Sequence, residues 1–211
     1  MSKETRIIMS GDHPLKILNG TKTKTRRTAG LSIINDPPQR DSGWQLVAVF
    51  QDGYARFATS TGGDITLQCP YGGYGDILRV RETWATENQY NHLKPSEIPP
   101  TARLWYLADE GYNPQTMGKI RPSIFMPRWA SRLTLEITEV RVQRLQEITE
   151  EDCKAEGIEY ATVLVDIVTM RALENSTRIP AFKELWDSIN GKKYPWNSNP
   201  WVWALRFEVM K

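Results

Sequence analysis

The segment Gly20-Thr21-Lys22-Thr23-Lys24-Thr25-Arg26-Arg27 places four cations and three hydroxyls within seven residues, with no acidic side chain among them. Such residue types can hold a phosphate or a nucleobase, and a lysine beside a threonine can do acyl chemistry. A threonine hydroxyl becomes a nucleophile once a base takes its proton. Lys22 can be that base where burial or neighbouring cations lower its pKa, and Lys24, Arg26 and Arg27 supply the cations. Arg27 or backbone N–H groups would then hold the developing oxyanion. The competing reading is a solvated basic hairpin with no chemistry. A geometric condition bears on the choice. Residues three apart on a regular strand point to opposite faces, so Lys22 and Thr25 share a pocket only where the strand is broken between them. On an unbroken strand Lys22 and Lys24 line one face and bind phosphate, while Thr25 and Arg27 pack elsewhere.

Further along the chain, Arg79 and Arg81 fall on one face of a strand at period two. They read either as a pocket wall touching phosphate or as solvent-facing charges, and Glu82 suits an arginine partner better than a general acid. Arg128, Trp129 and Arg132 fit contacts to a single-stranded backbone with one stacking platform, or else a salt-bridged edge beside a buried tryptophan. Glu156 directly precedes Gly157, a helix-stopping glycine, and read alone it is a solvated helix-end carboxylate. Of the eight tryptophans, Trp186, Trp196, Trp201 and Trp203 crowd the last quarter. Core packing accounts for most of them, whereas an exposed face would suit a protein partner.

The elements that must position these residues are mostly strands. Ile7 to Met9 is a short apolar run, and Leu15, Ile17 and Leu18 suit a short helix ending at Asn19-Gly20. Residues 44–50 and 54–59 flank Gln51-Asp52-Gly53 as a hairpin, residues 76–82 follow a glycine-rich turn, and residues 103–107 form another candidate strand. Leu133, Leu135 and Ile137 alternate with polar residues, then Val140 and Val142 resume after a slip, which predicts a long strand bulged near Thr138-Glu139. Residues 201–209 read as a strong terminal strand. Thr149 with Glu150, Glu151 and Asp152 opens a capped helix, and Phe182, Leu185, Trp186 and Ile189 mark a second. Residues 162–174 fit either strand or helix. The reading is α+β and mainly β: a small barrel with short peripheral helices, one domain over 1–211, and two inserted stretches at about 29–70 and 86–119.

Composition bounds the function. With 27 basic against 25 acidic residues the net charge is +2, so any nucleic-acid contact must come from a local patch. Two distant cysteines and two histidines argue against a structural zinc site. No apolar run reaches the ~20 residues of a membrane span, and the first six residues lack a signal-peptide core. The chain reads as cytoplasmic, reduced and free of metal and cofactor.

Four stretches, in order, carry a resemblance. Gly20, Lys22 and Arg27 meet a G-x-K-x-x-x-x-R signature after a short helix, and residues 75–84 begin with Gly-Asp on a barrel strand. Residues 145–157 form a capped helix ending in Glu-Gly, and residues 182–186 pair with residues 199–203. With these the sequence resembles the ASCH family, of PUA-like β-barrel fold, in its larger phage and prophage type, and Arg128 to Arg132 extends the likeness. The resemblance implies RNA, single-stranded nucleic acid or a modified nucleoside as partner, in a bacterial or phage-infected cell. In one bacterial branch it implies hydrolysis of N(4)-acetylcytidine by a lysine and threonine of the basic motif and a glutamate of the capped helix. By motif position those are Lys22, Thr25 and Glu156. Lys22, Lys24, Arg27, Arg79, Arg81, Arg128, Trp129 and Arg132 are the candidate binding residues. The readings that stay open are an amidohydrolase, a non-catalytic binding module, and a phage accessory protein with a protein partner.

Overall fold

Alternation at period two turns the stretch around Leu135 and Ile137, and the stretch from Trp201 to Phe207, into two long strands that pair antiparallel. Their register shifts so that Arg206 faces Glu139 while Phe207 faces Ile137. Thr138 is therefore the extra residue of a bulge, where the slip in the sequence pattern placed it. The structure is a computed structural model that describes residues 2–37, 43–109, 113, 115–159 and 177–210; the ambiguous stretch 162–174 lies outside them.

In chain order the elements are β1 (Glu4–Ile8), α1 (His13–Leu18), β2 (Lys24–Arg27), α2 (Ser32–Asn35), β3 (Gln45–Val49), β4 (Tyr54–Ala58) and β5 (Asp64–Gln68). They continue with β6 (Ile77–Arg81), β7 (Trp84–Ala85), β8 (Trp105–Tyr106), β9 (Thr134–Arg144), α3 (Glu150–Ala155), α4 (Ile179–Asn190) and β10 (Trp201–Val209). The protein is α+β and mainly β. A five-stranded sheet runs β1-β6-β9-β10-β2, a three-stranded sheet runs β3-β4-β5, and β7 pairs with β8. In the large sheet β1 lies parallel to β6, and the other neighbours are antiparallel.

No barrel closed by a hydrogen-bonded ladder forms among the described residues, because β1 and β2 end the strand order without pairing to each other. β2 is short, with four residues, and makes its ladder with β10. One side chain spans the gap instead. Arg27 Nη2 donates to the Ile8 carbonyl at 2.8 Å and lies 3.3 Å from Met9 Sδ.

β10 is buried on both faces. Trp201, Trp203, Leu205 and Phe207 enter the main core beside Ile7, Val80 and Phe57, while Val202 enters a second cluster with Leu145, Cys153, Phe182 and Trp186. At about 1.5–3 kcal/mol per large apolar side chain, this strand contributes on the scale of the whole protein's net stability. The stretch 29–70 is no loose appendage, since Leu31, Ile34, Ala55, Phe57 and Cys69 belong to the main core. The stretch 86–119 adds Ile98 and Ala102 to a third cluster around Trp84. Among the described residues no helix is long and apolar enough to cross a membrane.

Candidate active site

The site is built where the end of α3 meets the approach to β2. Thr149 caps α3 by accepting from Asp152 N at 3.1 Å, and Gly157 ends it at φ +77°. A Cβ on Gly157 would stand 3.0 Å from Lys16 Cδ and 3.3 Å from Lys22 Cβ, a tight fit in a left-handed backbone that glycine adopts without strain. On the other side the chain turns at Gly20 and runs antiparallel past the helix end. Lys22 and Glu156 form an isolated bridge, Thr23 N donates to the Ala155 carbonyl at 2.7 Å, and β2 begins only at Lys24. The strand is thus broken between Lys22 and Thr25, and both side chains turn inward, at 2% and 4% exposure.

Lys22 Nζ donates to Glu156 Oε2 at 2.6 Å and to the Glu156 carbonyl at 3.0 Å. The cation therefore sits against the negative end of α3 as well as its last carboxylate. Arg26 Nη1 reaches Glu156 Oε1 at 3.2 Å, and Arg26 Nη2 reaches Asp152 Oδ2 at 2.5 Å. Asp152 Oδ1 accepts from Lys24 Nζ at 2.6 Å and from Arg141 Nη2 at 3.3 Å. Four cations converge on two carboxylates, with Lys22, Arg26, Asp152 and Glu156 all buried.

Burial sets the protonation states here. It pushes the Lys22 amine below its ordinary value, against the opposing pull of Glu156, with Arg27 and Lys16 adding to the depression. Burial would raise Asp152, but the bond from Lys24 and the charges of Arg26 and Lys24 outweigh it and hold that carboxyl down at about 2. His13 is pushed down to about 4 by burial and by the Lys22 charge, which keeps it neutral at pH 7. Burial raises Cys153, beneath the site, to about 12 and Cys69 to about 11, so neither offers a thiolate.

A cavity of about 220 Å³ opens over this network, walled by His13, Thr25, Arg27, Tyr71, Glu156 and Trp186. That is smaller than the roughly 300–1,000 Å³ of drug-sized ligand sites and suits a single base or acyl group. Thr25 and Glu156 share the wall, and Lys22 lies behind Glu156. Among the described residues no three His, Cys, Asp or Glu side chains converge as a metal site needs.

The other expected contacts stand apart from this cavity, each with a partner of its own, and the Arg128 side chain stays 76% exposed. Arg79 makes a two-pronged pair with Glu4, which Arg128 Nη2 also reaches at 2.9 Å. Arg81 donates to the Ile124 carbonyl at 2.6 Å. Arg132 grips both Glu82 and Asp109 and lies over the Tyr106 ring at 4.0 Å, which accounts for Glu82 as an arginine partner. Trp129, partly buried, meets Trp84 edge-on at 6.3 Å and packs on the third cluster. Lys24 is tied to Asp152. Of the four tryptophans of the last quarter, Trp186, Trp201 and Trp203 are buried and Trp196 is half-buried against the second cluster.

Sequence reasoning missed Asp152, Arg141 and His13 as members of the site and gave Arg26 only a supporting charge. A signal existed for Asp152. It lies four residues before Glu156, so both carboxylates share one face of the helix end. No protein-family model, no curated protein and no solved structure matches this chain.

Proposed function

We propose that this protein takes a modified nucleoside into the Thr25–Glu156 cavity and deacylates it without a metal, on a PUA-like barrel of the ASCH type. The carrying observation is the buried Lys22–Glu156 contact at 2.6 Å beside a threonine that faces the same cavity. Support for the barrel comes from the Arg27 contact that joins the two edge strands of the five-stranded sheet.

In this reading Thr25 Oγ attacks the acyl carbon of an N(4)-acylated cytidine as its proton passes to Lys22. Lys22 rests as a cation on Glu156, and burial lowers the cost of reaching the neutral amine that this step needs. The C–N bond then breaks, Lys22 returns the proton to the exocyclic nitrogen, and water hydrolyses the Thr25 ester to release the carboxylic acid. Glu156 has a cation on each oxygen, so its role is to orient Lys22 rather than to donate a proton. Arg26, in the cavity wall, supplies positive charge for the oxyanion. Tyr71 and Trp186 give the base an aromatic wall.

A second reading, non-catalytic binding of a single-stranded or modified base, is favoured by one observation. Lys22 Nζ already holds two acceptors, which a purely structural ion pair would also show. Incubating the protein with N(4)-acylated cytidines and following products by mass separates the two. The expected outcome is cytidine plus free acid, lost in Thr25→Val and Lys22→Met. Binding of the nucleosides without turnover would leave the binding module.

A further inference from the structure

We infer that the cavity recognises an anionic form of its ligand, a nucleoside phosphate, and that Arg27 is the anchor for the phosphate. The inference rests on the nucleoside reading above and adds the charge of the ligand to it.

Around the cavity the charges do not balance. Lys22, Lys24, Arg26 and Arg141 share the carboxylates of Glu156 and Asp152, and among the described residues no acidic group pairs with Arg27. Among the described residues Arg27 has only neutral partners: the Ile8 carbonyl and Met9 Sδ, both through Nη2. Its Nε is buried with no acceptor. A buried donor left unmatched costs stability, and the cost is larger for a charged group. The guanidinium lines the cavity wall, and its charge opposes protonation of both His13 and Lys22. His13, beside it, is neutral and cannot take the place of a counter-anion.

A phosphate oxygen answers the excess charge, since it accepts from the Nη1 side of the guanidinium, which the contacts of Nη2 with Ile8 and Met9 leave open. Lys22 and Lys24 cannot serve as the anchor, because their amines are held by Glu156 and Asp152. The occupant is a mononucleotide rather than a strand. The cavity of about 220 Å³, bounded on one side by Phe182, Leu185 and Trp186, takes one base and leaves the sugar and phosphate to the Arg27 side of its wall.

Calorimetric titration with cytidine, cytidine 5′-monophosphate and inorganic phosphate, at low and high salt, tests this. The nucleotide is expected to bind about tenfold tighter than the nucleoside, a step of about 1.4 kcal/mol, with the gap narrowing as salt rises. Arg27→Gln should bring nucleotide and nucleoside together, and Arg27→Lys should keep part of the gap. Equal binding of the two by the wild type overturns the inference, as does an Arg27→Gln protein that folds and keeps the gap. Inorganic phosphate binding as tightly as the nucleotide removes the nucleoside part from it. Should Arg27→Gln not fold, the wild-type gap and its salt dependence decide the matter. Binding of nucleoside alone sinks only this inference, whereas binding of neither ligand sinks the nucleoside reading as well.

Discussion

Replacing Glu156 with glutamine keeps the shape of the site and removes one charge from its centre. Lys22 Nζ then loses its 2.6 Å partner and Arg26 loses one of its two carboxylates, in a region only 2–5% exposed. Breaking a buried pair by removing one partner typically costs about 3–5 kcal/mol, because the remaining charge stays in low dielectric. For a chain of this length, at about 2–4 °C per kcal/mol, the melting temperature should drop by roughly 6–20 °C. Urea titration and thermal melts of the wild type, Glu156→Gln, Lys22→Met and the double variant measure it. The double variant should be more stable than the sum of the single losses predicts, since it leaves no orphaned amine. Asp64→Asn, which breaks a pair with Arg56 about half exposed on each side, is the control and should change little. A Glu156→Gln protein as stable as that control, or strictly additive losses, would refute the buried-pair argument.

Acid should weaken the fold in two windows. His13 is held neutral with its pKa lowered to about 4, so its contribution is complete above its ordinary value near 6.5 and is lost as pH falls toward 4. The ceiling is about 3 kcal/mol, and urea midpoints at a series of pH values should show this limb vanish in His13→Gln. Asp152, lowered to about 2, contributes above about pH 4 and loses that contribution between pH 4 and 2, so Asp152→Asn should flatten the lower window. Gly157→Ala should cost at least about 1–2 kcal/mol from the left-handed backbone alone and should also displace Glu156, read as a weaker ion pair in the double-variant cycle with Lys22→Met. Truncation after Asn199 removes the strand between β9 and β2 with two of the core tryptophans, and should abolish the cooperative melt; a soluble truncation that melts cooperatively would show β10 to be dispensable.

The large elements were legible because period-two alternation carries through Leu135–Ile137 and Trp201–Phe207, and the bulge at Thr138 was visible as a slip in that alternation. The capped helix at Thr149 was legible from its hydroxyl and acidic first turn. The site was legible only in part. A lysine, a threonine and a glutamate of the right types stood in the chain, but the pairing of Lys22 with Glu156 depends on a backbone bridge across 134 positions. Local pattern cannot supply such a long-range contact, and so Glu156 read alone as solvated when it is 5% exposed. The contacts of the arginines at 79, 81, 128 and 132 were not legible for the same reason. Their partners Glu4, Ile124 and Asp109 come from distant segments. Closure of the barrel was not legible, because strand alternation says nothing about whether the last edges meet.

A crystal of the Thr25→Val protein soaked with N(4)-acetylcytidine tests the central claim most directly. The account predicts the base in the cavity between Tyr71 and Trp186, with the acyl carbon about 3–3.5 Å from the side chain at position 25 and Lys22 behind it. A nucleoside bound elsewhere, or seated in the cavity with its acyl group turned to solvent, would contradict it.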